Sequence, residues 1–153
     1  MGVERDTVRA RALAEAVIDT IHALARSGEA EAIFLMGTAY DEGLGRPIDY
    51  GEAVRWYREA AGMEHVLAQH NLGNVYAAGR GIEQDWELAV RWWTPPAERG
   101  DAITQLRLGE AYEAGRGVEA VDTAVALTWY RRAAEAGNAQ ATEAVARLSG
   151  PGG

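Results

Sequence analysis

The side chains that most often carry metal or catalytic chemistry are few in this chain. Its 153 residues include three histidines and no cysteine. His65 and His70 are five residues apart, a spacing that does not align two side chains on one face of a helix. The third histidine is His22, and no thiolate is present that could complete a zinc site. We therefore expect no metal ion.

No nucleophilic side chain stands in a recognisable catalytic motif. Serine, histidine and aspartate show no triad order, and the carboxylates fall at predicted helix starts or on predicted solvent faces. The Gly-Arg-Gly segments at 79–81 and 115–117 have the glycines of a phosphate loop, but no strand precedes them and no Gly-Lys-Ser/Thr follows. We predict a protein that is not an enzyme and that holds no cofactor.

The elements that carry these residues repeat along the chain with a period of 36 residues. The repeated positions are a glycine (Gly37, Gly73, Gly109), a tyrosine (Tyr40, Tyr76, Tyr112) and an aromatic pair (Trp56-Tyr57, Trp92-Trp93, Trp129-Tyr130), the last displaced by one residue. A period in this range indicates stacked supersecondary units rather than a core closed on itself.

Each unit is predicted to be a pair of antiparallel helices, A and B. In the middle unit, Ala68, Leu72 and Val75 form one stripe at helical spacing, and the helix ends at the double glycine Gly79-x-Gly81. An aspartate before each B helix (Asp49, Asp85 and Asp122) is expected to cap it. The glycine inside each A helix is expected to let helix B approach closely, since it is unfavourable there on propensity alone.

The pattern Leu-Gly-x-x-Tyr-x-x-Gly-x-Gly, followed by Asp and by Ala-x-x-x-Tyr with an adjoining Trp, resembles the Sel-one-like repeat family of the tetratricopeptide-like superfamily. The resemblance covers roughly residues 30–138. It implies an all-α, right-handed α-α superhelix with repeats at 30–65, 66–101 and 102–138, and a concave groove formed mainly by the A helices. Members of the family typically act as adaptors in protein complexes and are common in bacterial signalling and secretion.

Terminal helices are expected to cap this single repeat domain. Residues 5–28 form an amphipathic segment, and residues 139–149 read as a final A-type helix, followed by a flexible tail at 150–153. The apolar residues expected to face inward are Val8, Leu13, Val17, Ile21 and Leu24 in the first segment and Ala141, Val145 and Leu148 in the second.

The Pro95-Pro96 pair and Glu64 depart from the repeat. Pro95 and Pro96 stand inside the second B helix, so we expect that helix to stop or kink near Thr94. The break could open a notch beside Trp92 and Trp93, or it could be tolerated drift in a repeat array. Glu64 stands where the other units have glycine, so that turn is expected to be tighter or more helical.

If tetratricopeptide geometry holds, residues two, five, nine and twelve of each A helix face the groove. They are Glu31, Phe34, Thr38 and Asp41 in the first repeat, Leu67, His70, Asn74 and Ala77 in the second, and Ile103, Leu106, Glu110 and Glu113 in the third. The alternative for Phe34, Leu67 and Leu106 is packing between repeats. Trp86 has no tryptophan counterpart in the other units and is predicted to be an exposed anchor.

The net charge of -8 argues against nucleic-acid binding, because phosphates repel such a surface. A membrane helix needs about 20 consecutive apolar residues, and no stretch of this chain approaches that length. Nothing after Met1 resembles a signal peptide, so we expect a cytoplasmic protein.

The function that these features predict is an adaptor that binds a peptide or partner protein with basic and apolar residues in the concave groove. Two alternatives stay open: a self-associating module, with the chain a monomer or weak homodimer, and a small-molecule binder or enzyme at the Pro95-Pro96 notch.

Overall fold

The computed structural model describes residues 2–150, with the side chains of Arg9, Ala10 and residues 12–150. Within this part of the chain the regular structure is helical, which confirms the predicted all-α class. The eight helices are α1 (Gly2–Arg26), α2 (Ala30–Glu42), α3 (Tyr50–Gly62), α4 (Val66–Ala78), α5 (Trp86–Glu98), α6 (Ala102–Ala114), α7 (Thr123–Glu135) and α8 (Ala139–Ser149). None of these described helices combines the length and apolarity needed to cross a bilayer.

The helices belong to two compact units. The first unit comprises the described residues up to Leu72 together with Arg80–Ile82, and the second comprises Gly73–Gly79 and the described residues from Glu83 onwards. In the first unit α2 packs against α1 and α3. In the second unit α6 packs against α5 and α7, and α7 packs against α8. Helices α2, α4 and α6 are the A helices of the repeat, and α3, α5 and α7 are the B helices.

Aspartate side chains begin the B helices, as predicted. Asp49, Asp85 and Asp122 each accept a hydrogen bond of 2.9–3.0 Å from the backbone N–H three residues further on. Asp101 and Asn138 do the same at the starts of α6 and α8. These oxygens satisfy amide groups that have no partner within the first helical turn.

The mid-helix glycines lie where an aromatic ring of the B helix crosses the A helix. The three pairs are Gly37–Tyr57, Gly73–Trp93 and Gly109–Tyr130. A Cβ atom at Gly109 would lie 2.5 Å from Cδ1 of the Tyr130 ring, and Tyr130 is buried. The predicted packing role of these glycines is therefore confirmed.

The second glycine of each loop packs against the B-type helix before it, at the first residue of α3 and of α5 and in the middle of α1. The three pairs are Gly45–Ala14, Gly81–Tyr50 and Gly117–Trp86. Because Ala14, Tyr50 and Trp86 are 36 residues apart, α1 occupies the register of a B helix. This shared register aligns residues 14–26 of α1 with the residues of α3, α5 and α7.

The prediction that the second B helix stops or kinks near Thr94 is wrong. Helix α5 continues to Glu98 with Pro95 and Pro96 inside it. Proline has a backbone φ that suits a helix, and what it removes is the hydrogen bond to the preceding turn. Both prolines lie within the last four residues of α5, and each removes one backbone donor without ending the helix. The Thr94 hydroxyl also donates to the Val90 carbonyl at 2.8 Å, and Pro96 is buried.

The turn at Glu64 also differs from the prediction that it would be tighter or more helical. Glu64 has φ +60, so it adopts the left-handed backbone of the equivalent glycines Gly28, Gly100 and Gly137. The backbone closes in the same way, with the His65 N–H donating to the Ala60 carbonyl at 3.2 Å. A side chain is accepted because nothing lies within 4 Å of a Cβ at the equivalent glycines.

We expect Glu64→Gly to raise the free energy of unfolding by about 0.5–1 kcal/mol, because glycine adopts a left-handed backbone without the strain that a Cβ imposes. Urea denaturation followed by far-UV circular dichroism measures the change. The matched variant Glu64→Ala removes the carboxylate but keeps the Cβ, so it should not stabilise the chain. Equal effects of the two variants would show that the carboxylate, not the backbone strain, matters.

The apolar residues of α1 do not all face inward as predicted. Leu13, Val17 and Leu24 are 66%, 49% and 42% exposed, whereas Ile18 and Ala25 are buried. Two apolar stripes run along this helix. Periodicity favours the stripe with the larger side chains, but it does not show which stripe packs against another helix. Ile21 is half-buried, and Val8 lies outside the residues whose side chains are described.

The other end of the chain follows its pattern. Ala141 is buried on α8, and Val145 and Leu148 pack against the same core, which includes Tyr130. Residues 151–153 of the predicted tail lie outside the described residues.

Candidate partner-binding surface

In the first unit the predicted groove residues of α2 share one face, since their spacing is helical. Phe34 is half-buried and stacks on the His65 ring at a centroid distance of 4.8 Å. The Nε2 atom of His65 lies 2.9 Å from a carboxylate oxygen of Glu31. The Thr38 hydroxyl donates to the carbonyl of Phe34 at 3.4 Å. Phe34 is therefore held by packing, while Glu31 is exposed beside it.

Asp41 is the last residue on this face of α2, and it contacts Tyr57 and Arg80 within the first unit. The Tyr57 hydroxyl donates to its Oδ2 at 3.3 Å, and an Arg80 nitrogen lies 3.3 Å from its Oδ1. Burial raises the pKa of the Tyr57 hydroxyl, and the negative charge of Asp41 adds to the rise. Asp41 thus binds the A helix to its B helix.

Leu67 is the exposed apolar residue of the first unit's candidate surface. It lies in the first turn of α4 and is 46% exposed. His70, one turn further along α4, is half-buried.

In the second unit the candidate residues lie at two depths. Ile103, in the first turn of α6, is 45% exposed, and Asn74 and Ala77 on α4 are half-buried. Leu106 is 4% exposed and belongs to the hydrophobic core. The packing role left open for Leu106 is the one that the structure supports.

The two carboxylates of α6 already have partners in the second unit. Glu113 accepts a 2.7 Å hydrogen bond from the Tyr130 hydroxyl and bonds of 2.6 and 2.9 Å from the Arg147 guanidinium. The hydrogen bond from Arg147 lowers the pKa of Glu113. Burial raises the pKa of Tyr130, and its hydrogen bond to Glu113 raises it further. Glu110 is exposed and pairs with Arg107 at 2.9 Å.

Trp86 is half-buried rather than an open anchor. The Arg116 guanidinium carbon lies 5.0 Å from the centroid of its ring, and the Trp93 ring meets it edge-on at 6.4 Å. Trp93 is buried, and Pro95 is half-buried in the continuous helix α5. The predicted notch depended on a helix break, which the structure does not have.

Sequence reasoning missed the acidic partners of the B-helix tyrosines. Residue twelve of the A helix is Asp41 where the B helix has Tyr57, and Glu113 where it has Tyr130. In the repeat with Trp93, which has no hydroxyl, the same position is Ala77. This paired change among the three repeats could have shown that these carboxylates serve packing. No group of three metal-ligating side chains lies together among the described residues.

Together, paired helices with a glycine under an aromatic ring define an all-helical repeat protein. The family model of the Sel1 repeat matches residues 30–65, 66–101 and 102–138. The chain therefore belongs to the Sel1 repeat family, as the sequence pattern predicted. None of the curated proteins matches the chain.

Three solved structures similar to this chain are bacterial proteins. The protective antigen present in uropathogenic Escherichia coli strains, which displays an SLR fold, is 38% identical over 80% of this chain, with a TM-score of 0.79. A Sel1 repeat protein from Oxalobacter formigenes is 32% identical over 88% of this chain, with a TM-score of 0.80. The chain covers only 26% and 39% of the lengths of these two proteins. Cysteine rich protein B of Helicobacter pylori has a TM-score of 0.65 at 18% identity, over 84% of this chain and 96% of its own length, and shows the fold alone.

Proteins built from Sel1 repeats are generally scaffolds for protein–protein interaction, and the fold is typically non-enzymatic.

Proposed function

We propose that this chain binds a partner polypeptide through the exposed faces of its A helices (the A-helix surface), with Leu67 as an apolar anchor of the first unit and Ile103 as an apolar anchor of the second. Leu67 and Ile103 occupy the same position of consecutive repeats, at residue two of α4 and α6. Their exposure supports the proposal most directly, because covering apolar side chains of this size with apolar groups of a partner contributes the most binding free energy.

The charges near the anchors indicate the chemistry of the partner. On α6, Glu110 lies seven residues after Ile103 and so shares its helix face, and it is exposed. In the first unit Glu31 is exposed beside Phe34. A segment with apolar side chains and Lys or Arg would meet both features. Asp41 and Glu113 are excluded from this role because they are half-buried and bind Tyr57, Tyr130 and arginine side chains, whereas Glu31 and Glu110 are exposed.

The chain offers matched controls for each anchor. Met63, in the turn before α4, is 47% exposed, and Val121, in the loop before α7, is 62% exposed. Glutamate at either control position makes the same chemical change without altering the A-helix face.

The test begins by capturing partners with the purified chain from a lysate of its native host, then measures the affinity of each partner by calorimetry. We expect Leu67→Glu and Ile103→Glu each to weaken binding at least about tenfold, because a charge replaces an apolar anchor. Met63→Glu and Val121→Glu should bind as the wild type does. If the anchor variants bind as tightly as the controls, the A-helix surface is not the binding site.

The cysteine content of the chain bears on its cellular compartment. A chain without cysteine suits a reducing environment, and the cytoplasm is the location we propose.

A further inference from the structure

Helix α1 carries an exposed apolar stripe. The stripe consists of Ala10, Leu13, Val17, Thr20 and Leu24, which alternate at spacings of three and four residues. All five are exposed. This is the spacing of a seam between two helices. We call these residues the α1 stripe.

The repeat register shows what this face does elsewhere in the chain. Val17 is equivalent to Ala53, Ala89 and Ala126, and Leu24 is equivalent to Ala60, Pro96 and Ala133. The six equivalent residues in α3, α5 and α7 are all buried. The same face that packs on an A helix in every B helix is therefore open to solvent on α1.

The α1 stripe is also suited to meeting its own copy. Its one polar member, Thr20, already donates its hydroxyl to the Ala16 carbonyl at 3.0 Å. Glu15, Asp19 and Arg26 lie on the opposite side of the helix, because they are rotated by about 160–180° from Val17 at 100° per residue. Arg9 borders the stripe, at about 80° from Val17, and in an antiparallel pair centred on Val17 the two Arg9 side chains lie at opposite ends of the contact. Two stripes packed antiparallel would bring no like charges together.

The exposed face of α8, which carries Thr142 and Glu143, is a poor alternative partner for the α1 stripe. Thr142 and Glu143 stand at the positions of the buried Gln105 and Leu106 of α6, one residue having been added to the third repeat, and both are exposed. A polar outer face is what a terminal helix needs to remain in solvent. The α1 stripe lacks that protection, and Glu143 would lose hydration if it were buried against it.

We propose that two copies of this chain associate through their α1 stripes, packed antiparallel about a two-fold axis near Val17. Val17 is the midpoint of the stripe from Ala10 to Leu24, so an antiparallel pair centred there covers Leu13 and Leu24 of both copies. A two-fold contact uses the same patch on each copy and closes at the dimer. The stripe shares no residue with the proposed partner-binding anchors Leu67 and Ile103.

The first test is the mass of the full chain by sedimentation equilibrium over a range of concentrations. We expect a monomer–dimer equilibrium for the wild type, and at least about a tenfold rise in the dimer Kd for Val17→Glu, because the dimer would bury two carboxylates. Val121→Glu, at an exposed valine outside α1, should leave the Kd unchanged. A wild-type chain that stays monomeric at the highest attainable concentration overturns the proposal, as do equal effects of the two variants.

A second test covers the case in which Val17→Glu fails to fold. The chain has no cysteine, so a single introduced thiol reports one position. Val17→Cys should form a disulfide-linked dimer under mild oxidation, because the two-fold axis brings the two thiols together. Asp19→Cys, on the far side of α1, should link much more slowly. Equal rates at the two positions would overturn the antiparallel α1 contact.

Discussion

Replacement of Gly117 by alanine is expected to lower the free energy of unfolding by about 2–4 kcal/mol, the sum of two separate costs. Gly117 has φ +68, a left-handed backbone that strains any residue with a Cβ. The new Cβ would also collide with the carbonyl group of Trp86, at the start of α5. This group is backbone and cannot rotate away, so α5 or the loop itself must shift.

Gly100→Ala is the control for this prediction. Gly100 also has a left-handed backbone, at φ +99, but nothing lies within 4 Å of the position of its Cβ. Alanine there incurs the backbone strain alone, about 1 kcal/mol. Urea denaturation followed by circular dichroism compares the two variants. If both lose the same stability, the packing of Gly117 on Trp86 contributes nothing and the strain accounts for the whole effect.

The second large effect is expected at Tyr130, whose ring fills the space left by Gly109. We expect Tyr130→Ala to destabilise the chain by about 3–5 kcal/mol, the range observed when a buried aromatic side chain is truncated. Tyr130→Phe keeps the ring and loses only the hydrogen bond to Glu113, which retains its contacts with Arg147. Its cost should be about 1–2 kcal/mol.

A double-mutant cycle checks the cause of the Tyr130 effect. Gly109→Ala alone places a Cβ 2.5 Å from the Tyr130 ring and should be destabilising. Combined with Tyr130→Ala, the same change has room and improves helix propensity, so the two effects should be far from additive. Additive effects in the denaturation experiment would mean that the glycine and the ring are not in contact.

Much of the fold could be predicted because the signals are local and occur three times. An aspartate that caps a helix acts on an amide three residues away, as Asp85 does on the Leu88 N–H. The glycine inside each A helix is unfavourable on helix propensity, so its recurrence predicted a close contact with the B helix. The contact between Gly109 and the Tyr130 ring confirms this prediction. The proline prediction failed because proline keeps a helical φ, so α5 continues through Pro95 and Pro96 to Glu98 although each proline removes a backbone donor.

Less of the candidate site could be predicted, because exposure depends on neighbours distant in sequence. Leu67 and Leu106 both stand at positions predicted for the groove, yet one is exposed and the other is in the core. Carboxylates that the sequence offers as ligands for basic side chains prove to be partners of Tyr57 and Tyr130.

The sequence by itself determined the helices, their caps and the pairing of an A helix with a B helix, since each depends on residue types at fixed short spacings. Only the tertiary structure decided which apolar faces are covered. On α1, Ile18 is buried whereas Val17 and Leu24 are not, although all three are aliphatic. Periodicity measures where apolar side chains lie around one helix, whereas burial also requires a second helix to be present on that side.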